Sequence, residues 1–361
     1  MKKILAICSS PDQGGLELYF ISLVNYFFDK GNIYSATLSN SFISHKIKVR
    51  NISIKKNNLL NVFQNVKKIL SFIEENDIDI IHVSWTKDLL LAALVKKFSS
   101  RYLKIIYYRQ MKLTRKKSDA YHKFIYNKID HVLAITEKLS SECNKYLPLK
   151  SNQIDILKYG IKTFDNKSFS KDKIYERYNL DKSKFTLGVF SRIEEQKGQH
   201  LLIEAMNLLF EKNIQLVIVG HCMDDDYKRN IEMKCNQYNL RERVVFIPFI
   251  EDPKEIMSTI DLIVLPTYEE TFGLVVIEGM MANTPVIGSD AGGVPEIIIN
   301  GVNGLLFHTR SSSDLAEKIY SIYNSKELRN KIVKNADVFV RKEYDYDEHF
   351  KKFKDIVEKK L

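Results

Sequence analysis

Two carboxylates, Glu270 and Glu278, stand in the run Glu269-Glu270-Thr271-Phe272-Gly273-Leu274-Val275-Val276-Ile277-Glu278-Gly279. The run follows a short apolar stretch at 262–265 and has helical spacing from Gly273 onward, which puts Glu270 in a loop and Glu278 inside a helix. The first amides of a helix have no intrahelical acceptor. Those of Phe272, Gly273 and Leu274, with the positive end of the helix dipole, therefore form an anion site. A carboxylate beside such a site is repelled by phosphate but accepts hydrogen bonds from hydroxyls, so the pair points to a sugar. Glu269 suits an ordinary surface position. Glu278 does not, because Ile277, Met280 and Met281 give its helix an apolar face.

A second run, Gly188-Val189-Phe190-Ser191-Arg192-Ile193-Glu194-Glu195-Gln196-Lys197-Gly198, ends a strand and opens a helix. Arg192 can fork two phosphate oxygens and Lys197 adds a point charge. Two cations with helix amides can hold a diphosphate leaving group as Mg²⁺ does elsewhere, so no metal and no cofactor is expected. Asp290-Ala291-Gly292-Gly293-Val294-Pro295-Glu296 is a tight loop in which ligand approach and a plain turn are equally consistent with the glycines. Gly14-Gly15-Leu16-Glu17 opens a helix with free amides. It lacks the G-x-G-x-x-G fingerprint and the later acid of a dinucleotide fold, which disfavours NAD.

Strand–loop–helix units must carry these residues. Apolar runs at 3–8, 78–83, 104–108 and 131–135 predict strands, with helices over 16–28 and 87–98. After a polar stretch between 159 and 184, strands are expected at 185–190, 215–220, 244–247, 262–265, 285–288 and 305–307, with helices over 199–210 and 273–281. The alternation predicts an α/β protein with two doubly wound, Rossmann-like domains, 1–165 and 166–345, facing a central cleft at the carboxyl ends of their strands. A last helix over 346–361 spaces Phe350, Phe353, Ile356 and Val357 for one buried face.

The 361 residues suit two domains, and 45% hydrophobic with 28% charged residues excludes a disordered chain. A net charge of +10 favours anionic partners, yet no nucleic-acid module is recognisable and the excess is modest for the length. Cys8, Cys143, Cys222 and Cys235 are scattered without ligand-like spacing, which fits a reducing cytoplasm. The apolar run from Ile4 to Ile7 is too short for an export signal. No stretch nears the roughly 18 apolar residues of a membrane span, so membrane contact is expected to be peripheral.

Together these motifs resemble the family-4 retaining glycosyltransferases of the GT-B fold, of the bacterial cell-surface polysaccharide type. The resemblance runs nearly end to end: Gly14-Gly15-x-Glu17, Asp79-Ile80-Ile81-His82, Gly160-Ile161, Arg192 with Lys197-Gly198, Glu270 with Glu278, Gly292-Gly293-Val294-Pro295-Glu296, and Asn300-Gly301 with Asn303-Gly304. It implies that Arg192 and Lys197 hold the donor diphosphate, Glu278 the ribose hydroxyls and Glu270 the transferred sugar. Amides of Phe272, Gly273, Leu274 and the Gly14-Gly15 loop would cradle sugar and phosphate. It further implies a donor-binding C-terminal domain, an acceptor-side N-terminal domain, and a last helix crossing back to the N-domain.

The chain departs from the pattern in two places. Val83 and Ser84 follow His82 where many relatives have His-x-His, leaving His82 either a catalytic contact or a core histidine. Arg109-Gln110-Met111 stands where many carry a histidine. Arg109 is a candidate acceptor or leaving-group contact within the basic run of Lys112, Arg115, Lys116 and Lys117, whose other reading is a solvated loop. The expected reaction is sugar transfer from a nucleotide diphosphate sugar to a saccharide, free or lipid-linked, at the inner face of the cytoplasmic membrane. A nucleotide-sugar epimerase and a non-catalytic carbohydrate-binding subunit are the alternatives.

Overall fold

Continuous apolar runs make the strands. Ile4–Cys8 is buried at every residue, as a parallel strand covered on both faces must be. The computed structural model describes residues 2–56, 58, 60–164 and 169–360. The chain forms two compact units, Met1–Gly160 with Tyr346–Leu361, and Ile161–Asp345.

The first unit holds β1 (Ile4–Cys8), β2 (Ile33–Leu38), β3 (Asn51–Ile54), β4 (Ile80–Val83), β5 (Lys104–Arg109), β6 (His131–Ala134) and β7 (Ile154–Ile156). Their order is β3-β2-β1-β4-β5-β6-β7, every pair parallel. The second holds β8 (Phe185–Phe190), β9 (Ile214–Val219), β10 (Val244–Ile247), β11 (Leu262–Leu265), β12 (Val286–Ser289) and β13 (Leu305–Phe307), ordered β10-β9-β8-β11-β12-β13 and again all parallel. Both sheets reverse their winding once, between β1 and β4 and between β8 and β11. Loops leaving such a pair diverge and open a ligand crevice.

The unit boundary lies between Gly160 and Ile161, and Ile161 N–H already donates to Tyr344 O at 2.8 Å inside the second unit. The expected boundary at 165/166 lies outside the described residues. The polar stretch between 159 and 184 contains a helix, Lys171–Arg177, whose cap is Ser170 accepting from Lys173 N–H.

The last helix, Tyr346–Lys360, belongs to the first unit. Phe350 stacks on Tyr26 with ring centroids 4.4 Å apart, and Phe353 tilts against Phe27 at 5.9 Å. His349 donates through Nδ1 to Lys158 O at 2.6 Å and accepts at Nε2 from Tyr19 OH at 3.1 Å. Burial holds its pKa down at about 4, which keeps it neutral in that double role. Among the described residues no helix is long and apolar enough to cross a membrane.

Candidate functional site

In the second unit, the loop after β8 carries Arg192 and Lys197 and the loop after β11 carries Glu270. These loops are fastened to each other. Tyr268 N–H and Thr267 Oγ1 both donate to Gln196 O, at 2.9 and 3.1 Å. Gly198 has φ +69°, and a Cβ there would lie 2.1 Å from Pro266 O, so only glycine permits the approach. His200 accepts or donates between two tyrosines, with Tyr268 OH 2.5 Å from Nε2 and Tyr227 OH 2.7 Å from Nδ1.

The fastening brings Lys197 Nζ to 2.9 Å from Glu270 Oε2. Both side chains are mostly covered, so the pair is better shielded than a surface ion pair. Glu270 Oε1 also accepts from Thr271 N–H at 3.1 Å. Behind it lies Gly292, at φ +65°, where a Cβ would be 1.7 Å from Glu270 O, and Gly293 N–H donates to that same oxygen at 2.8 Å. The glycine loop after β12 thus braces the backbone of Glu270. Arg192 stands apart from this pair. It is exposed, and its Nη2 lies 2.9 Å from Glu194 Oε1.

The helix Leu274–Met281 begins at Gly273 with no side-chain cap. Its first amide with a backbone acceptor is that of Val276, to Gly273 O at 2.9 Å, and the Gly273 and Leu274 amides have none among the described residues. Phe272 is buried, its ring edge-on to Tyr344 at 5.9 Å. Glu278 lies just over one turn into the helix, partly exposed, its carboxylate without a hydrogen bond or ion pair among the described residues. Lost hydration raises its pKa to about 7, opposed by the charge of Lys254.

In the first unit, Gly14 caps the helix Gly15–Tyr26. Gly14 N–H donates to Glu17 Oε2 at 2.8 Å, and Glu17 Oε1 accepts from the Ser10 hydroxyl, so the buried Glu17 ties the glycine loop down. Gly15 O accepts from Tyr159 OH at 3.0 Å. His82 is 0% exposed and its ring is edge-on to Phe353 at 5.6 Å. Neither ring nitrogen has a partner, and burial depresses its pKa to about 3. Arg109 ends β5 with 5% exposure, donating to Thr86 Oγ1, Tyr107 OH and Lys112 O.

The structure therefore brings together Lys197, Glu270 and the Gly273-Leu274 amides, with Glu278 further along the same helix. The His200–Tyr227–Tyr268 network beneath them has no motif in the sequence, since its members are separated and each reads as ordinary core. Among the described residues no group of three or more His, Cys, Asp or Glu could hold a metal ion.

A doubly wound sheet opens a ligand crevice at its winding reversal, and an uncapped helix start there is suited to an anion. Residues 170–339 match the family model for glycosyl transferases group 1, and residues 7–136 that for glycosyl transferase 4-like proteins. The chain is a glycosyltransferase of the family-4, GT-B type. An uncharacterized glycosyltransferase of Methanocaldococcus jannaschii is 31% identical over 60% of this chain and 56% of its own length. The capsular polysaccharide biosynthesis glycosyltransferase CapM of Staphylococcus aureus is 26% identical over 75% of this chain and 74% of its own. HepE of Anabaena, solved with UDP and glucose, superposes with a TM-score of 0.86 at 22% identity, covering 99% of this chain and 100% of that one, a likeness of fold.

Proposed function

We propose that the protein transfers a sugar, with retention of configuration, from a nucleotide diphosphate sugar to a saccharide acceptor, free or lipid-linked, in surface polysaccharide synthesis. The observation that carries this reading is the Lys197–Glu270 pair at the winding reversal of the second sheet, beside the unpartnered amides of Gly273 and Leu274. On donor binding, Lys197 exchanges Glu270 for a phosphate oxygen and Arg192 swings from Glu194 to the other phosphate. Glu270, released, accepts from sugar hydroxyls while Glu278 accepts from the ribose. The two cations and the helix terminus stabilise the departing diphosphate, which takes the acceptor's proton as the new bond forms on the same face. The Gly14-Gly15 loop assists from the first unit, which takes the acceptor. His82 has no role in this scheme because it has no exposed surface. The protein acts against the inner leaflet, by peripheral contact with anionic lipid.

Turnover by clamp variants tests the reading. Arg192→Ala and Lys197→Ala should each lower kcat/KM by roughly 10²–10³, the scale for losing one transition-state donor, with thermal melts unchanged. EDTA should leave the wild-type rate intact. Near-normal transfer by both variants, or a rate abolished by chelator and restored by Mg²⁺, refutes the assignment.

A further inference from the structure

We propose that Gln199 and His200, which open the helix Gln199–Leu208, are positioning residues for the donor site: Gln199 holds the loop that carries Arg192, and His200, through the hydroxyl of Tyr268, holds the loop that carries Glu270. The inference rests on the transferase reading and adds two residues that act on its rate without touching the substrate.

Gln199 is fully buried. Its Nε2 donates to Arg192 O at 2.8 Å and to Ser191 Oγ at 3.0 Å, so the backbone that bears the Arg192 side chain is tied to the first turn of the helix. His200, the next residue, is half-buried between Tyr227 and Tyr268, its ring edge-on to each at 5.7 Å. It stands three residues after Lys197, and Tyr268 stands two before Glu270. Their bond, 2.5 Å from His200 Nε2 to the Tyr268 hydroxyl, therefore spans the two loops close to the pair in which Lys197 Nζ lies 2.9 Å from Glu270 Oε2.

A neutral imidazole has one hydrogen to share between its two ring bonds. Burial is the first cause lowering the pKa of His200, ahead of the opposing charge of Glu204, so the ring is neutral near pH 7. The Tyr227 hydroxyl accepts from the His200 backbone N–H at 3.2 Å, which caps a helix whose own cap residue, Gly198, has no side chain. Tyr227 is buried, and among the described residues the only acceptor for its hydroxyl hydrogen is His200 Nδ1, at 2.7 Å. A buried hydroxyl hydrogen left unpaired is costly. Nδ1 therefore accepts from Tyr227, and Nε2–H donates to Tyr268. Tyr268 is half-buried, so its own hydrogen reaches solvent at little cost. The Arg310 guanidinium lies over the Tyr268 ring, 4.6 Å from its centroid. Held at its ring and at its oxygen, Tyr268 fixes the backbone that leads into Glu270.

Transfer kinetics on the full-length chain test this, with a thermal melt for each variant. Tyr268→Phe keeps a ring under Arg310 and removes only the hydroxyl, so it should fold normally and lower kcat about tenfold or more, with donor KM changed less than about threefold. His200→Phe should match it; if that variant melts early, Tyr268→Phe carries the test by itself. His200→Gln, whose amide can still donate, should recover most of the rate. The double variant His200→Phe/Tyr268→Phe should lose no more than either change alone, since both remove the same bond. Gln199→Leu should lower kcat/KM about tenfold, yet add nothing in an Arg192→Ala background, because it acts through that residue. The long-range ¹H–¹⁵N spectrum, with the His200 signals assigned by their loss in His200→Phe, should show the hydrogen on Nε2. Wild-type kcat in Tyr268→Phe, losses that add, a hydrogen on Nδ1, or a Gln199→Leu loss that persists without Arg192 would overturn the inference and leave the transferase reading intact. A wild type no faster than Lys197→Ala would sink that reading, and the inference with it.

Discussion

Glu278 and Glu270 meet the donor at different moments of the proposed reaction. Bonds from Glu278 to ribose hydroxyls exist before and during transfer, so Glu278→Gln should raise the donor KM roughly tenfold and hurt deoxyribose donors less. Glu270 faces the sugar that gains positive character, so Glu270→Gln should lower kcat by roughly 10²–10³ with nucleotide diphosphate still bound. Steady-state kinetics at saturating acceptor separates them; an exchange of the two phenotypes refutes the roles. The pKa of Glu278, raised to about 7, adds a pH signature. Ribose hydroxyls bind the ionised carboxylate, so nucleotide affinity should fall as pH drops below 7, and Glu278→Gln should flatten that dependence. Because the folded pKa lies above the ordinary glutamate value, the empty protein loses stability as pH rises toward and through 7, and the same substitution removes the loss. The two glutamates were legible in the sequence because loop and helix placement follow from one apolar run and one glycine. The Thr86 partner of Arg109 was not, because Thr86 lies beyond β4 and only the register of β4 against β5 brings it near, whereas Tyr107 stands two residues back on β5 itself.

At the scale of elements, three loops form one unit: that after β8 is fastened to that after β11, and the glycine loop after β12 braces the second. Gly292→Ala should displace Glu270, because the added Cβ would meet its backbone at 1.7 Å and φ +65° is strained for alanine. The expected outcome is a fall in kcat of at least tenfold at near-normal nucleotide affinity; unaltered kcat refutes the brace. The strands around these loops could be read from apolar runs. β2 and β3 escape such a reading because Ser35 and Thr37 face Asn51 across the pair, with Ser35 Oγ donating to Asn51 Oδ1 at 2.9 Å. Helices such as Lys326–Glu343 are as hard to see, with few fully buried residues among Ile332, Ala336 and Val340.

For the molecule as a whole, the net charge of +10 must rest on cations other than those already paired with carboxylates. Lys96 and Lys104 already face Asp130, and Arg101 faces Asp77. Lys97 instead lies over the rings of Phe98 and Phe124, and Phe98 and Tyr102 are 53% and 79% exposed. Binding to anionic vesicles should therefore depend on Phe98 and Tyr102 as well as salt, with each surface cation worth about 1 kcal/mol. Cosedimentation of Phe98→Ala/Tyr102→Ala checks this, and equal partitioning onto neutral and anionic vesicles refutes it.

The helix Tyr346–Lys360 closes a core whose other walls are some three hundred residues earlier in the chain, with Phe353 against Phe27 and His82. Emerging from a ribosome, the first unit has all seven of its strands before the second unit is made, yet it lacks this wall until the second is complete. The second unit is one unbroken segment and can reach its native state first, reversing the usual amino-to-carboxyl order of domain folding. Throughout that interval Tyr19, Tyr26 and Phe27 lack their native cover, so the nascent first unit is the part of the molecule most in need of a chaperone.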